Sequence, residues 1–433
     1  MDWKNEYRSK LVSPREAVKH IKSGDRVVIG HAAGEPSVLV DELVANYNEY
    51  RDVEIAHMVP MGKGEYTKLE MAGHFRHNSL FAGVSTRDAI NCGRADYTPC
   101  FFYEVPKLFR EGYLPVDVAL IELSPPDEEG YCSFGISVDY TKAAAESANI
   151  VIAQINREMP RTFGDSFIHI SDIDYIVEAD RPILELNPPK ITKVEESIGR
   201  YCASLIEDGS TLELGIGAIP DAILLFLKDK KDLGIHSEMI SDGILNLYES
   251  GVITNKKKSI HKDKIIVTFM MGTKRLYDFV NNNKNVELYP VDYVNDPTVI
   301  MKNYKMISIN SCIQVDLMGQ IVSETIGERQ FSGTGGQVDF VRGANMADGG
   351  KSIIAMPSTA ANNKISRIVP FIDHGASVTT SRNDANYIVT EYGIAQLKGK
   401  TLKERGRELI NIAYPDFREE LIKEWERRFR DRY

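Results

Sequence analysis

Cysteine is scarce, and its scarcity excludes a disulfide frame or a zinc cage. Five cysteines, Cys92, Cys100, Cys132, Cys202 and Cys312, are spread over 433 residues, an odd count with no C-x-x-C pair. Isolated thiols in a long chain indicate a reducing compartment. Metal spacings are missing too. His31, His57, His74, His77, His169 and His374 make no ligand pattern, and His74-x-x-His77 lacks the glutamate-bearing helix of a zinc peptidase. No metal is expected, and these residues read as hydrogen-bonded structural histidines. Positive charge is also in deficit: 52 Lys+Arg against 62 Asp+Glu leave a net charge of −10. Such a surface repels phosphate backbones, so nucleic acid is not an expected partner. No segment has the apolar length of a membrane span, and Met1-Asp-Trp-Lys-Asn-Glu-Tyr-Arg8 has no apolar core for a signal peptide. The expectation is a cytoplasmic protein with no membrane partner. The run Lys256-Lys257-Lys258, with Lys262 and Lys264, reads as a solvated turn between strands.

What is present is an ordinary globular composition, 43% hydrophobic and 26% charged, in a chain too long for one typical domain. Helical and strand patterns alternate. Ser13-Pro14-Arg15-Glu16 is a capping box with proline at the first helical position. The strand Arg26–Gly30 follows, then an amphipathic helix through Leu39, Val40, Leu43, Val44 and Tyr47. Further short β-branched runs are Val53–Val59, Val116–Leu123, Ile150–Ile155, Thr211–Gly215, Ile265–Met271, Met306–Val315 and Ser352–Met356. Continuous apolar strands alternating with helices imply mostly parallel sheets covered by helices. The charged run from Asp416 to Arg428 is expected to be a helical surface cover.

Three pairs of segments look alike in the same order. Ile21-Lys-Ser-Gly24-Asp-Arg-Val-Val-Ile-Gly30 is matched by Ile206-Glu-Asp-Gly209-Ser-Thr-Leu-Glu-Leu-Gly215, Asp127-Glu-Glu-Gly130 by Asp316-Leu-Met-Gly319, and Ala148-Asn-Ile-Val-Ile by Ala385-Asn-Tyr-Ile-Val. Colinearity suggests two copies of one α/β unit: an open α/β fold, internally duplicated, with domains at 1–185 and 191–433. The proline-rich stretch from Arg181 to Lys190 marks the boundary.

Chemistry concentrates in the second half. Gly215-Ile-Gly-Ala-Ile-Pro220 sits where a strand gives way to a helix, the edge at which open α/β sheets bind ligands. It lacks the third glycine of a dinucleotide fingerprint, and no acidic residue is placed to take a ribose, so a nicotinamide enzyme is disfavoured. Downstream lies the glycine-dense, apolar-bounded loop Phe331-Ser-Gly-Thr-Gly-Gly336-Gln-Val-Asp-Phe340, with Asp339 and Arg342 as a candidate bracing pair. Between the two, Gly234-Ile-His-Ser-Glu238-Met-Ile-Ser-Asp-Gly243 offers one carboxylate. Flanked by backbone-presenting loops, Glu238 suits attack on an activated acyl group whose oxyanion the loops hold. The competing reading is a loop glutamate between two structural turns. Ser358 and Ser381 have no nucleophile-elbow context.

These three motifs together resemble the acetyl-CoA hydrolase/transferase family, a branch of the class I CoA-transferases. Supporting segments are Gly62-Lys-Gly-Glu-Tyr66, Ser124-Pro-Pro-Asp127, Ala203-Ser-Leu-Ile-Glu-Asp-Gly-Ser-Thr-Leu212 and Ile372-Asp-His-Gly-Ala376. The resemblance implies that Glu238 becomes a glutamyl-CoA thioester. It implies that Gly215, Ile216, Gly217, Ala218, Ile219, Gly335 and Gly336 contact coenzyme A or the thioester carbonyl. It further implies a homodimer that exchanges CoA between an acyl-CoA and a short carboxylic acid, such as 4-hydroxybutyrate, butyrate or acetate. The alternatives are an acyl-CoA hydrolase on the same scaffold and a non-catalytic sensor, the latter disfavoured by the lack of an added helix-turn-helix.

Overall fold

The computed structural model describes residues 3–433. The chain forms two compact units, Met1–Asn187 with Ile266–Val294, and Pro188–Ile265 with Asn295–Tyr433. It therefore passes between units three times, where the sequence reading placed a single boundary at 181–190. The excursion 266–294 carries no composition shift that would mark it.

The first unit holds a seven-stranded sheet built from β1 (Arg26–Ile29), β2 (Val53–His57), β3 (Phe75–Ser79), β4 (Ala95–Tyr97), β5 (Val118–Leu123), β6 (Ile150–Ile155) and β7 (Tyr175–Glu178). Its order is β7-β6-β5-β1-β2-β3-β4, parallel throughout. The second holds β8 (Thr211–Leu214), β9 (Gly234–Ile235), β10 (Met306–Asn310), β11 (Lys351–Ala355), β12 (Tyr387–Thr390) and β13 (Gly393–Gln396), ordered β9-β8-β10-β11-β12-β13. There only the last pairing is antiparallel.

The duplication is visible in this topology, since β2-β1-β5-β6-β7 is repeated as β9-β8-β10-β11-β12. Gly24 and Gly209 both take positive φ, +87° and +75°, one turn before β1 and β8. Both Asp turns close identically. Asp127 Oδ1 accepts the N–H groups of Glu129 and Tyr131, and Asp316 Oδ1 those of Met318 and Gln320, all at 2.9 Å. Gly130 and Gly319 follow at φ +89° and +87°. The third sequence pairing was wrong. It matched β6 with β12, but the sheet counterpart of β6 is β11 and that of β12 is β7. Buried parallel strands share a β-branched composition, so a five-residue likeness between two of them does not identify position.

The helix α1 (Pro14–Val18) carries the expected capping box. Equivalent Thr/Glu boxes start α2 (Lys193–Ser204) and a later helix at Thr401. Two long apolar runs are interrupted: Ile265–Met271 breaks at Thr268, and Met306–Val315 leaves the sheet after Asn310. In the lysine run, Lys256 and Lys257 are exposed, but Lys258 is only 1% exposed. Its ammonium donates to the carbonyls of Ile235 and Lys264 at 2.7 and 2.8 Å, which corrects the solvated-turn reading. A long aliphatic stem can be buried when its charged head finds carbonyl oxygens. No helix among the described residues is long and apolar enough to cross a membrane.

Candidate active site

The order of strands reverses between β8 and β10, so the carboxyl ends of these two strands flank a topological switch point of the second unit. The Gly215 motif leaves β8 at this edge. Gly217 takes φ +123°, a conformation that side chains strain to adopt, and it directly precedes α3 (Ala218–Leu225). No side chain caps that helix, which leaves its first N–H groups available to a ligand. Gly215 and Gly217 have open space where a side chain would stand, and Ile216 is 38% exposed. Ile219 turns inward and is buried.

The neighbouring strand β9 ends one residue before His236, whose N–H still donates to Leu212 O at 3.2 Å. Ser237 then replaces the backbone ladder with its hydroxyl, which accepts from Leu214 N at 3.3 Å and donates to Leu214 O at 3.2 Å. The chain is thereby pinned to β8 immediately before Glu238, which is half-buried.

Two distant segments close on this carboxylate. Asn295, fully buried, donates from Nδ2 to Glu238 Oε2 at 2.8 Å and lies 3.4 Å from Asp339 Oδ2. Asp339 belongs to α4 (Gln337–Met346), and Gly336 is the residue that starts this helix. A methyl group added at Gly336 would collide with Glu238 Oε2 and Asn295 Nδ2. The glycine loop is therefore packed against the carboxylate, and Gly335 makes its turn at φ +54°. Arg342 lies 3.5 Å from Asp384 in an ion pair that the sequence reading did not foresee.

Near the start of this loop, an apolar cavity of about 510 Å³ is lined by Ile313, Ile326, Phe331, Ile365 and Val369, with Arg367 at its wall. At the other side of the switch point, Glu213 on β8 is 4% exposed. Its Oε2 accepts from Ile309 N at 3.1 Å and Asn310 Nδ2 at 3.0 Å. Burial pushes its carboxyl up to about 8, with the charge of Glu238 adding to the effect and hydrogen bonds from Ser308, Ile309 and Asn310 opposing it.

The structure thus brings Glu238 and Gly336 into contact and sets the Gly215–Ile219 turn on the adjoining strand. Sequence reasoning missed Asn295 and Glu213. Asn295 had no distinguishing signal, since Asn-Asp-Pro reads as a helix start, and Asp296 does cap that helix through Thr298 N. Glu213 did have one: a charged residue inside the otherwise apolar strand Thr211–Leu214. His31, His57, His74, His77 and His169 are hydrogen-bonded, but His374 is exposed and lies 3.8 Å from Glu328, which corrects its reading as a structural histidine. His57 lies between Tyr66 Oη and Gly30 O, both at 3.0 Å, and His77 Nδ1 meets Ile55 O at 3.0 Å.

Residues 1–186 match the acetyl-CoA hydrolase/transferase N-terminal domain, and residues 272–425 match the C-terminal domain of the same family. The chain belongs to the acetyl-CoA hydrolase/transferase family. It is 67% identical to 4-hydroxybutyrate coenzyme A transferase of Clostridium kluyveri, over 99% of this chain and 100% of that one. It is 39% identical to butyryl-CoA:acetate CoA-transferase of Anaerostipes caccae, over 99% and 98%. Among solved structures, 4-hydroxybutyrate CoA-transferase of Porphyromonas gingivalis superposes with a TM-score of 0.87 at 45% identity, covering 99% of this chain and 100% of that one. The protein is a CoA-transferase.

Proposed function

We propose that this CoA-transferase moves CoA between 4-hydroxybutyrate or butyrate and acetate, through a thioester on Glu238. The observation that carries this reading is the clasp on one carboxylate: Asn295 Nδ2 at 2.8 Å from Glu238 Oε2, with the Gly336 backbone packed against the same oxygen.

A carboxylate oxygen of Glu238 attacks the acyl-CoA carbonyl carbon. The C–S bond breaks, giving a mixed anhydride and the CoA thiolate. The thiolate attacks the glutamyl carbonyl carbon, and the acid leaves as its anion. An acceptor acid then reverses both steps. One thioester replaces another, so the reaction is balanced without an external energy source. The demand is kinetic, because each tetrahedral oxyanion must be stabilised. Losing one such donor typically costs about 3–4 kcal/mol. Asn295 Nδ2 and backbone N–H groups at Ile216-Gly217 and Gly335-Gly336 are the donors we infer.

The pantetheine arm fits the apolar cavity beside Phe331, where Arg367 at the wall can meet an anionic group of CoA. Binding energy from that long arm is thereby available to the chemical step. A homodimer and a cytoplasmic location belong to the same proposal.

Incubation with butyryl-CoA followed by borohydride is expected to inactivate the enzyme and convert Glu238 to an alcohol visible by peptide mass. An unmodified Glu238 in the inactivated enzyme sinks the mechanism. Omitting acetate from the same assay tests the hydrolase alternative, since steady thioester loss without an acceptor would favour it.

A further inference from the structure

Asp339 lies beside the clasp on Glu238, and the transfer reaction as written leaves it without a task. It stands in the first turn of α4 and is 1% exposed. The side-chain amide of Asn295 has two N–H bonds to give. Its nitrogen donates to Glu238 Oε2 at 2.8 Å and to Asp339 Oδ2 at 3.4 Å. Its oxygen is buried with no hydrogen-bond partner among the described residues. The amide is therefore oriented from its nitrogen end alone. Turned over, it would aim Oδ1 at two carboxylates, which repel an oxygen and leave the N–H groups unpaired.

Packing sets Asp339 at this distance. Asn295 directly precedes Asp296, which caps the short helix Pro297–Ile300. Gly343 stands one turn beyond Asp339 on α4, and a Cβ there would strike Ile300. Bare backbone at Gly343 lets the two helices meet, and their contact brings Asp339 onto Asn295. Most of α4 is buried, from Gln337 through Ala344, so the carboxylate is carried by a rigid element.

We propose that Asp339 is a positioning residue for the transfer reaction. By taking the second N–H of Asn295 it holds the amide with its first N–H on Glu238 Oε2. Its effect falls on the chemical step rather than on binding of the acyl-CoA, because the bond it protects is made to the nucleophile. This inference rests on Glu238 being the thioester carrier.

The experiment is a double-mutant cycle on the full chain, assayed with butyryl-CoA and acetate. Asp339→Ala should lower kcat about 100-fold, the scale for a misplaced reacting group, and change KM for butyryl-CoA less than about twofold. Asp339→Asn still offers an oxygen to Asn295 and should recover part of that loss. Beside Asn295→Ala there is no amide left to hold, so Asp339→Ala should lower kcat no further. An Asp339 that only stabilised the fold would lower kcat by the same factor with or without Asn295, and that result overturns the proposal. A wild-type kcat in Asp339→Ala overturns it equally. Should Asp339→Ala fail to fold, Asp339→Asn runs the same cycle: a smaller loss is expected in the presence of Asn295 and none in its absence. No loss at all, or equal losses in both backgrounds, is then fatal. Peptide mass of the wild-type enzyme after butyryl-CoA separates the two readings. A missing glutamyl-CoA overturns the role of Glu238, whereas a thioester with independent losses overturns only the role of Asp339.

Discussion

Gly217 and Gly336 are both positions that favour glycine, for different physical reasons. Gly336 is bound by space: its φ of −91° suits any residue, but a Cβ there would strike Glu238 and Asn295. Gly217 is bound by conformation: its surroundings are open, but its φ is +123°. Gly336→Ala should therefore displace the carboxylate and lower kcat on the order of 100-fold, the usual scale for a misplacement near 1 Å, with the fold intact. Gly217→Ala should act mainly through strain in the turn, raising KM for the acyl-CoA more than it lowers kcat. Steady-state kinetics on both variants, with circular dichroism as a check, separates the two. A Gly336→Ala enzyme with wild-type kcat would show that the clasp does not matter. The two glycine loops stand out in the chain because glycine density is a local property. Asn295 does not, because its importance comes from a hydrogen bond spanning 57 residues.

At the scale of elements, the terminal helix α6 (Pro415–Phe429) shows how charge can mask packing. Its charged run reads as a surface cover, yet Leu421 and Trp425 are 2% and 0% exposed and belong to the core of the second unit. The Trp425 indole N–H donates to Lys403 O at 2.9 Å, and its ring fills the space left by Gly406 on the helix α5 (Leu402–Asn411). Trp425→Ala should destabilise the second unit by about 3–5 kcal/mol, the range for removing a buried aromatic. An unfolding free energy, from denaturant titration, that falls by less than a quarter of that would mean the helix is dispensable. Most strands were legible as elements because β-branched runs of this length are rarely anything else. Their pairing was not. The mismatch of β6 with β12 arose because composition records burial, which all central strands share, and not position in the sheet.

For the whole molecule, stability depends on pH through carboxyls that fold into neutral forms. Burial pushes Glu122 in the first unit up to about 7, against hydrogen bonds from Asn156 and Gln154 and the charge of Arg181. The unfolded chain ionises this group near pH 4.3. Between those values the folded state binds more protons than the unfolded one, so this group lowers stability as pH rises through the window and adds no further slope above it. Glu122→Gln leaves an oxygen able to accept from Gln154 and Asn156, at 2.9 and 2.8 Å in the native protein. Its melting temperature relative to wild type should be higher at about pH 8 than at about pH 5. An equal difference at both values would show that Glu122 is ionised in the fold.

By itself the sequence determined the class of fold, the existence of two related α/β halves and the glycine turns, and it offered Glu238 as a candidate carboxylate between them. Each of these follows from short-range regularities: strand and helix periodicity, turn residues, and motifs whose members are close in the chain. Tertiary structure alone decided that residues 266–294 return to the first unit, that Asn295 and Gly336 clasp Glu238, and that Glu213 is buried against the end of β10. Those facts depend on the order in which strands enter a sheet. That order is selected by the free energy of burying the whole unit, and no single segment of the chain records it.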